Sequence, residues 1–522
     1  MLPTRKSMID GLTADTEAFD FVVVGGGATG VGIAVDAAAR GYRVALFEQC
    51  DFGKGTSTRS TKLIHGGVRY LAQGRLSLVR ESLRERAILC QTAPHLVHKQ
   101  SFIVPLYRWW ERPYYRTGLG VYDWLAAKHG IAKSRYLSLQ QTTEHLPTIQ
   151  TRDLRGGIVY FDAAFDDARL LIDLVKTAVH HGAVCLNYMR VRNFIKNNGH
   201  TRGVVVEDAE TGEDLHIKAR VVINATGSFV DALRKLDEPS SEPIIVPSQG
   251  IHIVLDRRFL PGNTALIVPK TRDGRVMFAI PWHEKVLIGT TDTPVGHAVL
   301  EPLPQGQEID FLLESTSAYL TGQPTRAHIR SVFAGIRPLV RSSTHRNTSK
   351  LSRSHAIMVS NSGLMTITGG KWTTYRKMAE QCVNRAVQLA GLAYQPCVTE
   401  TLSINGPLSS ASTNHSQHAY GGDADNVKAM IDTSDAFAQP IHNELNCRVG
   451  EVAWYVRREF ARTVEDVLAR RSRALFLDAQ AALDASPRVA ELMAVELGQS
   501  ETWRNDQVEQ FRSLAHGYLC PC

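Results

Sequence analysis

"FDFVVVGGGATGVGIAVDAAARGYRVALFE", Phe19 to Glu48, decides the reading of the fold. Phe21 to Val24 is β-branched and strand-like, Ala28 to Arg40 is Ala-rich and helical, Gly41 stops that helix, and Arg43 to Phe47 returns as a strand. Gly25, Gly27 and Gly30 form G-x-G-x-x-G at the first strand-to-helix turn. The first glycine permits the tight turn, the second lets a diphosphate approach the backbone, and the third allows close helix–strand packing. The diphosphate can then rest on the free N–H groups of the helix. Glu48, at the end of the second strand, stands where an acid accepts from ribose hydroxyls, which disfavours a 2′-phosphate and leaves NAD and FAD open.

Two later stretches repeat the strand-to-glycine pattern. "ARVVINATGSFVD" runs into Ala225-Thr226-Gly227, and "GLMTITGGKWTTYR" runs into Gly369-Gly370. Three such turns, far apart in sequence, resemble the two-dinucleotide-binding flavoproteins, in which segments from the start, middle and end of the chain grip one extended FAD. The expected class is therefore α/β: a Rossmann-like FAD domain, a β-sheet substrate domain and a helical C-terminal domain.

The 522 residues suffice for several domains and real cores. The formal charge of +7, spread over such a length, does not argue for nucleic acid, but it is compatible with anionic substrates or anionic lipid. Eight scattered cysteines without a Cys-x-x-Cys pair or zinc spacing predict no metal and a reducing compartment. No apolar run approaches the roughly 18 residues of a bilayer span, and the first residues lack the apolar core of a signal peptide.

The expected division is 19–100, 151–247 and 351–400 for the FAD domain, 248–350 for the substrate domain, 401–425 for a linker and 426–522 for a helical domain. Residues 101–150 form a separate segment in which Trp109, Trp110, Tyr114, Tyr115, Tyr122 and Trp124 alternate with Arg108, Arg112, Arg116 and Lys128. That mixture suits the headgroup zone of an anionic membrane, or equally an aromatic packing loop or dimer contact. Asp166 reads as a helix cap, Asn197-Asn198-Gly199 as a turn, and Gly250 to Asp292 as a meander with a hairpin at Asp273-Gly274. Asp423 and Asp425 suggest a calcium loop, but its required glycine is replaced by Lys428.

"STKLIHGGVRYL" (Ser60 to Leu71), "FAGIRPLV" (Phe333 to Val340), "LSRSH" (Leu351 to His355) and "GGKWTTYR" each set a cation beside a glycine turn or strand. Arg337 lies in an apolar run, where a buried charge needs a partner. A guanidinium grips phosphate or carboxylate through two parallel bonds, and a lysine adds a mobile charge. The cofactor diphosphate already has its helix, so the spare cations imply a second, substrate anion. Taken singly, each is more often a structural ion pair; their recurrence at the glycine turns favours the site.

"KLIHGGVRYL", "GIVYFDAAFDDARL", "IPWHEKVLIGTTD", "GIRPLV", "ITGGKWTTYRKMAE" and the late "RRSRALFLDAQAA" together resemble the FAD-dependent glycerol-3-phosphate dehydrogenases, from Phe19 to about Leu497. The resemblance implies oxidation of sn-glycerol 3-phosphate to dihydroxyacetone phosphate, with a hydride passing from C2 to flavin N5. It implies Arg337 and Lys371 as contacts for the substrate's anion and hydroxyl, with Arg69, Tyr70 and Arg353 as further pocket members. Ser57 joins Gly25, Gly27, Gly30, Glu48, Ala225, Thr226, Gly227, Gly369 and Gly370 as an expected FAD contact. His252, in "SQGIHIVL", and His65 resemble the pocket histidines, with His252 the preferred base and His65 the second choice; either can instead be a satisfied core histidine. Lys371 or Arg337 would steady the developing alkoxide. The acceptor expected from the family is a quinone, on a peripheral enzyme at the cytoplasmic side of the inner membrane. The short span from Arg337 to Lys371, 34 residues, disfavours the related oxidases that use O2. An amine or amino-acid oxidase on the same fold and a non-catalytic flavin scaffold remain as alternatives, and C-terminal helices could pair two subunits as a homodimer.

Overall fold

The computed structural model describes residues 2–14, 17–71, 74–271, 274–341, 355–406 and 419–521, and Arg69 by its backbone only. α1 (Arg5–Ala14) precedes β1 (Phe19–Val24), which leads through α2 (Ala28–Ala39) to β2 (Val44–Phe47). Next come β3 (Leu63–Ile64), α3 (Val68–Leu71), α4 (Leu76–Thr92), β4 (Val97–Leu106), α5 (Glu111–Ala126), β5 (Arg135–Leu137), α6 (Leu139–His145), β6 (Gly156–Phe165) and α7 (Asp167–His180). β7 (Val184–Leu186), β8 (Met189–Asn197), β9 (His200–Asp208), β10 (Asp214–Asn224) and α8 (Val230–Asp237) follow. β11 (Ile245–Asp256), β12 (Ala265–Val268), β13 (Met277–Trp282), β14 (Lys285–Gly289), β15 (Thr293–Pro294), α9 (Gly306–Ser317) and β16 (Ile329–Val340) come next. β17 (His355–Val359), β18 (Met365–Gly369) and α10 (Tyr375–Ala390) close this part, before helices that include Val449–Arg458, Ala479–Leu497 and Glu501–His516.

The first sheet has the order β17-β18-β10-β1-β2-β7, with β8 and β9 continuing as antiparallel partners from the first half of β10. β18, β10, β1, β2 and β7 run parallel, as strand–helix–strand crossovers require. β1, β2 and the end of β10 are buried runs rich in Phe, Val, Ile and Leu, and the sheet packs against α2, α7 and α10 through Val31, Leu174 and Met378. Asp166 does cap α7, accepting from the N–H groups of Ala168 and Arg169, and the Asn198-Gly199 turn takes positive φ at both positions, 49° and 79°.

The second sheet has the order β15-β11-β14-β13-β12-β4-β6-β3, with β16 beside β11 and β5 beside β6. Three sequence readings change here. The 101–150 stretch is not a segment apart from the substrate sheet, because β4 pairs with β6 and β12. The 151–247 stretch is divided, since β6 belongs to the second sheet while β7 to β10 belong to the first. The meander is incomplete, because β11 pairs with β14 and β16 rather than with β12. Gly274 has φ 82°, as a tight turn demands, while Asp273 lies outside the described residues. The expected linker is anchored at both ends, where the Asn405 side chain donates to the Tyr420 carbonyl; residues 407–418 lie outside the described residues.

The C-terminal helices pack on the second sheet through Val254, Trp282, Leu287 and Phe333. Charges then tie them to the first domain. Asp51, just past β2, faces Arg470 and Arg471, and Arg169 of α7 faces Glu459; all five side chains are buried. Burial alone would raise the Asp51 carboxyl, but the two guanidiniums outweigh it and hold it down to about 2.

Candidate active site

Gly25 has φ 108°, and a Cβ there would meet the Ala225 carbonyl oxygen at 2.8 Å. A Cβ on Gly30 would lie 1.9 Å from the Gly25 carbonyl oxygen, so the third glycine of the fingerprint is needed for contact between turn and helix. The Glu48 carboxylate accepts from the Gly26 N–H at 2.7 Å and the Cys50 N–H at 3.0 Å. Burial pushes its pKa up, and these two N–H groups oppose the rise. Ser57 Oγ accepts from the Ala28 N–H at 2.9 Å, at the entrance to α2.

Gly25, Gly27, Glu48, Ser57, Ala225, Thr226, Gly227, Gly369 and Gly370 all line one cavity of about 750 Å³. Gly369 and Gly370 hold φ of 81° and 76°. Three glycine turns brought to one cleft, with a carboxylate at the end of β2 and a helix N-terminus at its floor, fit an extended dinucleotide. Gly30 supports that cradle from behind through its contact with Gly25.

The expected substrate residues reach the same cleft. His65, Tyr70, His252, Arg337 and Lys371 line it. Arg353 lies outside the described residues, as does the side chain of Arg69, whose backbone is in α3. Arg337 projects from β16 across β11. Its Nη2 donates to Thr290 Oγ1 and the Thr291 carbonyl, both at 2.9 Å, and its Nη1 lies 3.4 Å from Asp292 Oδ1. A Cβ on Gly250 would strike the guanidinium at 2.2 Å, so glycine there makes room for the plane of the group. The side chain keeps 23% exposure, so its charge is presented to the cleft. Lys371 Nζ donates to Ser82 Oγ at 2.7 Å and lies 4.5 Å from the centre of the Tyr70 ring.

His252 sits on β11 and is 2% exposed. Its Nε2 is 3.0 Å from Thr61 Oγ1, and its ring stacks on Phe333 with centroids 5.1 Å apart. Burial first, then the charges of Lys62 and Arg337, push its pKa well below the usual 6.5, so the imidazole is neutral at pH 7. His65, at the end of β3, takes its backbone N–H to Thr373 Oγ1 at 3.3 Å.

Some residues here escaped the sequence reading. Thr61 and Lys62 lie inside the stretch already singled out, but their contacts with β11 and α7 are not local. Thr290 to Asp292, which surround Arg337, lie in the quoted "IGTTD" with no role assigned. Arg59 also lines the cleft, with its Nη2 donating to Glu301 Oε2 at 2.6 Å and Tyr518 Oη at 3.1 Å. The alternation of cations and hydroxyls in "STRSTK" was the one signal for this group.

The sequence profile of the FAD dependent oxidoreductases matches residues 20–376, and that of the C-terminal domain of alpha-glycerophosphate oxidase matches 365–504. A mitochondrial protein of Caenorhabditis elegans, described as a probable glycerol-3-phosphate dehydrogenase, is 40% identical over 98% of this chain and 75% of its own length. The chain belongs to the family of FAD-dependent glycerol-3-phosphate dehydrogenases. The mitochondrial glycerol-3-phosphate dehydrogenase of Rattus norvegicus is 39% identical over 97% of this chain and 74% of its own. Among solved structures, the glycerol-3-phosphate dehydrogenase of Bacillus halodurans, complexed with FAD, aligns over 99% of this chain and 97% of its own, with TM-score 0.81 and 29% identity. The chain is thus an FAD-dependent oxidoreductase, and its C-terminal helices fall within the second matched family.

Proposed function

We propose that this dehydrogenase-family chain oxidises sn-glycerol 3-phosphate to dihydroxyacetone phosphate and passes the electrons to a quinone at a membrane surface. The reading rests on one observation: Arg337, Lys371 and a neutral His252 open onto the cleft formed by the three glycine turns. The glycine turns and Glu48 would hold FAD, which would supply the hydride acceptor.

The rest of the chemistry belongs to the side chains. The C2 hydroxyl of the substrate must lose a proton as the carbon is oxidised. His252, neutral and fixed by Thr61 and Phe333, takes that proton, with His65 as the alternative acceptor. Arg337 and Lys371 contribute positive charge toward the phosphate and the developing alkoxide, where a low-dielectric cleft strengthens both interactions. Arg337 is oriented for this by Thr290, Thr291 and Asp292. Tyr70 carries the Lys371 ammonium over its ring face.

The membrane part of the proposal rests on α5 and the turn before it. Trp109 is 75% exposed and Trp124 72%, with Trp110 and Tyr114 also exposed, beside Arg112 and Arg116. Among the described residues no helix is long and apolar enough to cross a membrane. A surface that exposes indoles beside cations suits insertion at the headgroup level, on the cytoplasmic side of an inner membrane.

Turnover of sn-glycerol 3-phosphate with a soluble quinone tests the assignment. In the parent protein, activity should require both compounds. Lys371→Met should raise KM and lower kcat/KM by roughly tenfold or more, the loss of one charge-assisted contact. Unchanged kinetics in that variant would remove Lys371 from the substrate site.

A further inference from the structure

Lys62 is an odd residue to find next to a catalytic cleft. Its side chain is 1% exposed, and its φ of 61° is one that non-glycine residues seldom adopt. Its Nζ donates to the Thr58 carbonyl at 2.9 Å and to Asp167 Oδ2 at 2.6 Å. Around the ammonium stand the rings of Trp282, Phe333 and Phe476, with centres at 5.4, 5.4 and 5.7 Å. Asp167 also accepts from Ser60 Oγ at 2.7 Å and from Arg473 at 3.1 Å, so one carboxylate joins the loop before β3 to the C-terminal domain.

Two contacts carry this arrangement to His252. Thr61, whose hydroxyl meets His252 Nε2, is the residue immediately before Lys62. Phe333, on which the imidazole stacks, is one of the three rings that face the ammonium. We propose that Lys62 is a positioning residue for the oxidation: its buried ammonium fixes Thr61 and Phe333 about His252 and keeps that imidazole neutral. The inference rests on the reading of His252 as the proton acceptor.

The charged groups that bear on His252 come from separate elements. Lys62 precedes β3, Arg337 stands on β16, and Asp167, at the start of α7, touches Lys62 from behind. Two cations are thus set against the imidazole, while Asp167 is spent on Lys62 and Arg473 and Asp292 faces Arg337. The low pKa of His252 agrees with this geometry: after burial, Lys62 is its largest cause and Arg337 the next. Burial also brings Lys62 itself down to about 7 against the pull of Asp167, so its charge is complete on the acid side of neutrality, where the His252 ring would titrate.

The test uses the FAD-loaded protein and Lys62→Met, which keeps an unbranched side chain one atom shorter and removes its charge. We expect FAD content and KM to stay within about threefold and kcat to fall about tenfold or more, within the usual worth of a well-placed base. The acid limb of the kcat/KM profile should move to higher pH, and the His252 ring, titrated by NMR in histidine-labelled protein, should move with it. Lys62→Arg, which keeps the charge, should restore the parent's acid limb. An unmoved His252 titration in Lys62→Met overturns the inference. A His252 titration that moves while the kinetic limb does not would establish the coupling of Lys62 to His252 but sink His252 as the base, and with it the part of Lys62 in the oxidation. If Lys62→Met fails to fold, Phe333→Leu leaves the Lys62–Asp167 pair intact: a fall in kcat at unchanged KM supports the inference, and parent-like kcat overturns it.

Discussion

The join between the C-terminal helices and the FAD domain turns on Asp51, and Asp51→Asn is the change that tests it. The carboxylate is fully buried and accepts from Arg471 Nη2 at 2.9 Å and from Asn187 Nδ2 at 3.1 Å, with Arg470 bonded to its other oxygen. Removing its charge leaves Arg471, itself 0% exposed, with the Glu459 carbonyl at 2.7 Å and a neutral amide oxygen in place of the carboxylate. Two estimates of the cost agree. Breaking one partner out of a buried pair costs about 3–5 kcal/mol. From linkage, a carboxyl held at about 2 rather than its ordinary 3.8 contributes about 2–3 kcal/mol at neutral pH. The sign follows from the lowered pKa: this contribution is complete above pH 4 and is lost as pH falls through about 2. A loss near 3 kcal/mol means roughly a hundredfold change in the folded-to-unfolded ratio. Urea unfolding followed by circular dichroism and flavin fluorescence measures it, and the flavin signal should be lost early because Asp51 lies three residues from Glu48. The double variant Asp51→Asn/Arg471→Met should recover part of the loss, since it leaves one fewer buried charge without a partner. A single variant within about 0.5 kcal/mol of the parent would refute the reasoning, because that is the range of changes away from buried networks.

Other outcomes follow from the same geometry. Gly30→Ala places a methyl 1.9 Å from the Gly25 carbonyl oxygen and should weaken FAD binding roughly ten- to hundredfold, read by flavin titration of the apoprotein. His252→Ala should keep FAD and lose roughly 10²–10⁴ in kcat. Because the His252 pKa is lowered, the acid limb of the parent's kcat/KM profile should fall below pH 6.5, and a limb at or above 6.5 would exclude His252 as the base. Trp109→Ala together with Trp124→Ala should weaken binding to anionic liposomes by roughly tenfold or more, whereas unchanged co-sedimentation would return α5 to a packing or subunit contact.

How much was legible in the sequence depended on the range of the contacts. The fingerprint from Phe19 to Glu48 was readable because strand, turn and helix are adjacent in the chain, and each glycine answers to a local need. The Asn-Asn-Gly turn and the Asp166 cap were readable for the same reason. The domain limits were not. β6 and β7 are both largely apolar, and nothing in their composition says that one joins β4 in the second sheet and the other joins β2 in the first. The gathering of site residues followed from cations beside glycine turns, which brought out Arg337 and Lys371. What supports them was hidden, because a hydrogen bond between Thr61 and His252 spans 191 positions and one from Arg471 to Asp51 spans 420. The motif "RRSRALFLDAQAA" was visible as a family likeness, but its arginines gain a physical meaning only when Asp51 and Asp167 are seen facing them.

The central claim is that one cleft holds FAD, takes glycerol 3-phosphate and releases the electrons to quinone. An anaerobic flavin titration tests it most directly: record the oxidised spectrum, add sn-glycerol 3-phosphate, then add a quinone. The flavin should bleach with the substrate and recover its colour with quinone. A flavin that stays oxidised through the first addition would contradict the substrate assignment, and one that bleaches but is reoxidised only when air is admitted would contradict the quinone.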